Sequence, residues 1–166
     1  TLRQFVSGGC LGIILLLITS YMPYRYWKKL SVPLMLCSLI LLALVFMPGI
    51  SFSAGGAHRW LRLGLFTFQP SEILKLAFIM YLAGWLDARR KEIETISYGF
   101  IPFTLMLAVV AVFLIMQPDI DMLGIIIATA GILYFLGGGN IAQITTLLVF
   151  GLATLYFLVQ LAPYRL

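Results

Sequence analysis

Apolar residues gather in long runs along the chain, at about 4–22, 32–49, 70–86, 98–116, 120–137 and 141–161, with short polar connections between them. A helix that crosses a bilayer needs roughly 20 mostly apolar residues, so the pattern predicts about six spans. The fourth and fifth runs are parted only by Gln117-Pro118-Asp119, and the fifth and sixth by Gly137-Gly138-Gly139-Asn140. Connections this short make neighbouring helices antiparallel. Pro118 disfavours helical backbone at Gln117 and marks a break there. The predicted fold is therefore all-α, a polytopic membrane helix bundle, with 1–166 forming a single integral-membrane domain.

Composition strengthens that picture: 62% of residues are hydrophobic, 10% are charged, and the mean hydropathy is +1.06. A soluble domain of this size could not hide so much apolar surface, whereas lipid can. The formal net charge of +5 forms no stripe that could follow a phosphate backbone, which argues against a nucleic-acid partner. Charge serves instead as a topology signal. Six cations (Arg25, Lys28, Lys29, Arg89, Arg90 and Lys91) fall on one side, and four (Arg3, Arg59, Arg62 and Arg165) on the other. The six-cation side is read as cytoplasmic. Tyr24, Tyr26 and Trp27 on that side and Trp60 opposite suit the two interfacial belts. Cys10 and Cys37 lie in apolar runs without metal-ligand spacing and read as small buried hydrophobes. The chain opens at Thr1 on an apolar run with no basic leader, as a piece of a longer protein would.

Polar groups concentrate in residues 56–76, GAHRWLRLGLFTFQPSEILKL. Pro70 fits the first position of a helix. Gln69 then takes the cap position, and Glu72 meets the positive end of the helix dipole. Lys75 lies three residues on, within reach of Glu72. An ionised group at that depth must be paired, snorkel or face water. A Glu72–Lys75 pair with Gln69 above it predicts a polar stripe facing the bundle interior, either as a structural ion pair or as the wall of a cavity open to the outer leaflet. Arg59 and Arg62 bracket Trp60 and Leu61. They suit an amphipathic interfacial segment, with Trp60, Leu61, Leu63 and Phe66 dipping inward. They equally suit a pair of guanidinium groups awaiting a phosphate. His58 has no second ligand candidate, so no metal site is expected. Asp119 reads as a helix cap. With Asp121 two residues on, it could also act as a base or hold a cation. Gly137-Gly138-Gly139-Asn140 lacks the ending of a phosphate loop and reads as a tight turn. Phe68-Gln69-Pro70-Ser71-Glu72 and Met116-Gln117-Pro118-Asp119 echo one another, each starting a helix at the same face.

Gly56-Ala57-His58-Arg59-Trp60, then Gln69-Pro70-Ser71-Glu72 with Lys75, then Gln117-Pro118-Asp119, each at a membrane edge, resemble the shape, elongation, division and sporulation family (FtsW, RodA and SpoVE), and most nearly its division branch. Pro163-Tyr164-Arg165 is similar to a span end in that branch. The resemblance covers essentially the whole chain. It implies a ten-helix protein of the bacterial inner membrane, of which this chain matches roughly the second to the seventh helix. It implies polymerisation of lipid II into peptidoglycan strands beside a class B penicillin-binding protein, and it leaves any cofactor unknown. It implies substrate-binding roles for Arg59, Glu72, Lys75 and Asp119, with Arg59 and Lys75 holding pyrophosphate. The family's catalytic base is expected beyond Leu166, so no catalytic residue is expected within this chain. The family's usual Gly-Thr after Pro-Asp is replaced by Asp121-Met122, which sets an acid near the cavity. A lipid-linked precursor flippase using the same cavity is the alternative function, and a non-catalytic membrane docking subunit is a third.

Overall fold

Proline and polar residues set the helix ends. In the computed structural model, residues 9, 12–14, 16–47, 51–54, 57–63 and 66–161 are described. Helix α1 spans Tyr24–Leu44, immediately after an extended Pro23. The hydropathy pattern predicts a later start because Arg25, Lys28 and Lys29 belong to the first turns of α1. Long cationic side chains can occupy a helix end and still reach the polar interface. Helix α2 spans Pro70–Ala88, with Pro70 at its first position. A π-helical turn, Ile96–Phe100, leads into α3, Ile101–Met116. Helices α4, Ile120–Leu136, and α5, Ile141–Leu161, complete the bundle. A further helical run at 16–20 precedes α1, and much of the first predicted span lies outside the described residues.

The main departure from an all-helical reading is a small antiparallel sheet in order β1-β2-β3, formed by Ser51–Ala54, Ala57–Leu63 and Phe66–Phe68. Ser51 pairs with Leu61 and Phe52 with Trp60, then the register shifts before Ser53 meets His58. On the other edge of β2, Leu61 pairs with Phe68 and Arg62 with Thr67.

The core follows a helical period on three elements: Leu74, Phe78 and Leu82 on α2, Phe103, Leu107, Val110 and Leu114 on α3, and Leu123, Ile126, Ala130 and Tyr134 on α4. The opposite faces are also apolar. Leu105, Val112, Ile132 and Phe150 are more than half exposed. Helices that are apolar all round belong in lipid. There, packing rather than water exclusion holds helix to helix. Tyr24–Leu44 and Ile96–Met116 each have the length and apolarity to cross a membrane. Cys37 is an exposed free thiol on α1 and not a core residue as its apolar neighbours suggest; Cys10 lies outside the described residues.

Side-chain contacts mark two ends. At the basic end, the Lys28 ammonium lies 2.7 Å from Asp87. Gln143 Nε2 donates to the Glu94 carbonyl at 3.1 Å. The Tyr134 hydroxyl shares its proton between the Ile93 carbonyl and Gln143 Oε1, each at 2.8 Å. Phe103 stacks on Tyr134 with 4.3 Å between ring centroids. The glycine turn closes beneath this ring. Gly138 adopts φ +96°, and a Cβ on Gly139 would overlap the Tyr134 ring at Cε1. The triple glycine is thus a tight turn, as expected, and Asn140 Oδ1 accepts from the Ala142 amide at 2.8 Å to start α5.

Candidate functional site

At the opposite, sheet end, β2 sends alternate side chains to opposite faces, as strands must. Leu61 is buried at 2% exposure, and Arg59, two residues earlier, turns the same way. Arg62 is exposed. This corrects the amphipathic interfacial reading. Trp60 and Leu61 cannot both dip inward from a strand, and Arg59 reaches into the bundle rather than into headgroups. The side chains of His58, Leu63 and Phe66 lie outside the described residues.

The Arg59 guanidinium reaches the break between α3 and α4. Nη2 donates to the Pro118 carbonyl, and Nε donates to the Gln117 carbonyl at 3.4 Å. Nη1 lies 3.7 Å from Asp119 Oδ1. That spacing exceeds the roughly 2.8 Å of a charge-assisted hydrogen bond. Arg59 therefore gives its hydrogen bonds to carbonyls freed by the helix break and its charge to Asp119.

Asp119 is 3% exposed. Its Oδ2 accepts from Gln69 Nε2 and from Ser71 Oγ, both at 3.0 Å. The predicted capping role is not what the carboxylate does, since it makes no cap bond to α4. Gln69 likewise makes no side-chain cap bond to α2. Both side chains turn instead toward each other. The echo between the two Gln-Pro motifs has a spatial meaning, because Ser71 and Asp119, each directly after the proline, are hydrogen-bonded. Gln117 extends the network to α1, donating from Nε2 to the Leu42 carbonyl at 3.1 Å, while its buried Oε1 has no partner. Ser71 and Gln117 were missed as site residues by sequence reasoning. The matching places in the two motifs were the signal that could have found them.

Glu72 and Lys75 meet as expected, Nζ donating to Oε2 at 2.7 Å. Their face differs from the expected one. Glu72 is 57% and Lys75 27% exposed, beside outward-facing Ile73 and Leu76. One helical step of 100° separates Ser71, which faces Asp119, from Glu72, which faces away. Among the described residues the sheet end thus sets ion pairs on different faces: Arg59–Asp119 buried, and Glu72–Lys75 accessible. Asp121 lies exposed in the first turn of α4. Between α1, α2 and α3 an apolar cleft of about 180 Å³ is lined by Met35, Leu39, Tyr81 and Met106.

Comparison with known proteins places this geometry in a family. The "Probable peptidoglycan glycosyltransferase FtsW" of Geobacter sulfurreducens is 39% identical over 155 residues, covering 93% of this chain and 42% of that protein. The protein of the same name from Trichlorobacter lovleyi is 36% identical over 162 residues, covering 98% and 42%. The chain spans about two fifths of the length of these relatives. Among solved structures, the rod shape determining protein RodA of Thermus thermophilus superposes with a TM-score of 0.76 at 28% identity, covering 96% of this chain and 49% of that one. A chain from a peptidoglycan synthase complex, described for its "structural coordination of polymerization and crosslinking", superposes with a TM-score of 0.72 at 29% identity, covering 98% and 46%. The family model for the cell cycle proteins FtsW, RodA and SpoVE matches residues 1–166, and with this helical membrane architecture the chain belongs to that family.

Proposed function

We propose that this chain supplies the substrate-facing rim of a lipid II-polymerising peptidoglycan glycosyltransferase in the bacterial inner membrane, as one integral-membrane domain within a longer protein. On this reading the basic end is cytoplasmic and the sheet end faces outward. A class B penicillin-binding protein is the partner. The relatives' name and the synthase complex among the structural neighbours support both assignments. The observation that carries the reading is the arrangement of charge at the sheet end, where one ion pair is buried and braced and the other is open.

Glycosyl transfer from a pyrophosphate-linked lipid requires a base at the attacking hydroxyl, stabilisation of the leaving pyrophosphate, and an apolar path for the lipid tail. Asp119 is poorly suited to the first task, because it is buried and both its oxygens are engaged. Its role is to hold Arg59 and the starts of α2 and α4 in fixed relation. Arg59 acts with it, since its donors are largely committed to carbonyls. Lys75, on the accessible face, is the cation that meets pyrophosphate, and Glu72 orients it until substrate arrives. The apolar cleft between helices suits the tail.

The test is polymerisation of lipid II by the full-length protein with its transpeptidase. Lys75→Gln removes the charge from an accessible site and should leave insertion and melting unchanged while polymer falls roughly 100-fold, the scale of losing one transition-state donor. Wild-type polymer from Lys75→Gln would overturn the assignment. Translocation of labelled precursor without polymer in the unmodified protein would instead establish the flippase reading.

A further inference from the structure

Some charges at the basic end are held in ion pairs, and one that is not borders a cavity. Asp87 is taken by Lys28 at 2.7 Å, and Arg89 by Glu92 at 3.5 Å, with the Arg89 guanidinium also 5.9 Å from the Trp85 ring centroid. Arg90, between them in sequence and exposed, makes no ion pair within 4 Å among the described residues. It lines a cavity of about 260 Å³ between the last turns of α2 and α4. The walls are Ala83, Leu86, Leu133 and Leu136; the rim is Asp87, Arg90 and Gly137. Apolar walls below a guanidinium that makes no ion pair within 4 Å and feels Asp87 only at longer range, level with two helix ends, match a lipid molecule entering tail-first with its phosphate at the rim.

Two helix C-termini would ordinarily repel an anion. Here several of their last carbonyls are already answered. The Arg89 amide donates to the Trp85 and Leu86 carbonyls, and the amides of Gly137, Gly138 and Gly139 donate to Leu133, Phe135 and Tyr134. With Asp87 neutralised by Lys28, the charge that an entering headgroup meets is Arg90. Guanidinium matches a phosphate in a planar fork, and basic sites between membrane helices take anionic headgroups.

We propose that the cavity between α2 and α4 is a binding site for an anionic phospholipid, its headgroup phosphate on Arg90 and an acyl chain along Leu86, Leu133 and Leu136. The occupant is a lipid rather than free phosphate because four apolar side chains form the walls.

The full-length protein, delipidated and returned to nanodiscs of phosphatidylcholine with a minor share of phosphatidylglycerol, tests this by native mass spectrometry. The protein should retain phosphatidylglycerol, and Arg90→Ala should lower retention about fivefold, the weight of one cation near a bilayer surface. Arg25→Ala, which removes an exposed cation from the same end, should leave it unchanged. Equal losses in the two variants would overturn the site and leave only general attraction to a basic surface. Displacement of the lipid by inorganic phosphate at constant ionic strength would also overturn it, in favour of a phosphate site. Leu133→Trp, which fills the cavity without touching charge, should expel the lipid; full retention would sink the proposed route of the chain.

Discussion

The two ends of the bundle handle polarity in opposite ways. At the sheet end, the Asp119 carboxylate is buried and surrounded by side chains from two other segments: Arg59 on β2, and Gln69 with Ser71 at the start of α2. At the basic end, the buried work is done by a neutral tyrosine and close-packed glycines, while the charges of Lys28 and Asp87 stay exposed. A buried charge is costly unless every partner is present, and breaking such a pair is more damaging than never having it. A neutral packed cluster loses less when altered, and an exposed pair less still. The sheet end therefore gains fixed geometry at the risk of fragility, which suits a rim that must hold its shape. The basic end gains tolerance.

That contrast can be broken or sharpened by mutation. Asp119→Ala should have the largest effect, leaving Gln69 and Ser71 without their shared acceptor and Arg59 without its counter-charge. A loss of about 3 kcal/mol or more is expected, measured as a lowered thermal midpoint in nanodiscs, with protease access appearing first at residues 57–68. A midpoint equal to wild type would mean that the knot does not hold the sheet. Next comes Gly139→Ala, whose methyl would overlap the Tyr134 ring. Overpacking of this kind costs about 1–3 kcal/mol; a Tyr134 ring still stacked on Phe103 at unchanged stability would contradict the close fit described. The smallest effect belongs to Asp87→Asn. Its pair with Lys28 is exposed, so the midpoint should not move measurably at physiological salt. A large drop would show that charge matters to the fold at both ends and erase the distinction drawn here.

Hydropathy located the bundle well because lipid-facing and core-facing residues are both apolar, and the breaks at Pro70, Pro118 and the glycine turn are sharp. The same uniformity hid which way each helix turns. Spacing alone brought Glu72 and Lys75 together, yet apolar Ile73 and Leu76 beside them are exposed, so no polar face revealed the direction. The sheet escaped because its strands are short. The alternation of Arg59, Leu61 and Leu63 against His58, Trp60 and Arg62 has period two, but in seven residues flanked by membrane spans it also fits an interfacial segment. Ser71 and Gln117 were overlooked because serine and glutamine beside proline read as turn chemistry. Their partners lie 48 and 75 residues away, beyond any local pattern.

Those separations also order the assembly of the molecule in time. The bond from Tyr134 to Gln143 spans nine residues and can close as soon as α5 begins to form. The bonds that fasten β2 and the start of α2 span 48 to 59 residues and wait for Gln117, Pro118 and Asp119. During synthesis Arg59 and Gln69 emerge well before their acceptor, with α2 and α3 still to be threaded. The sheet end is thus completed late, by the arrival of the short break Gln117-Pro118-Asp119. A chain stalled between α3 and α4 would carry a formed hairpin with nothing to fasten it.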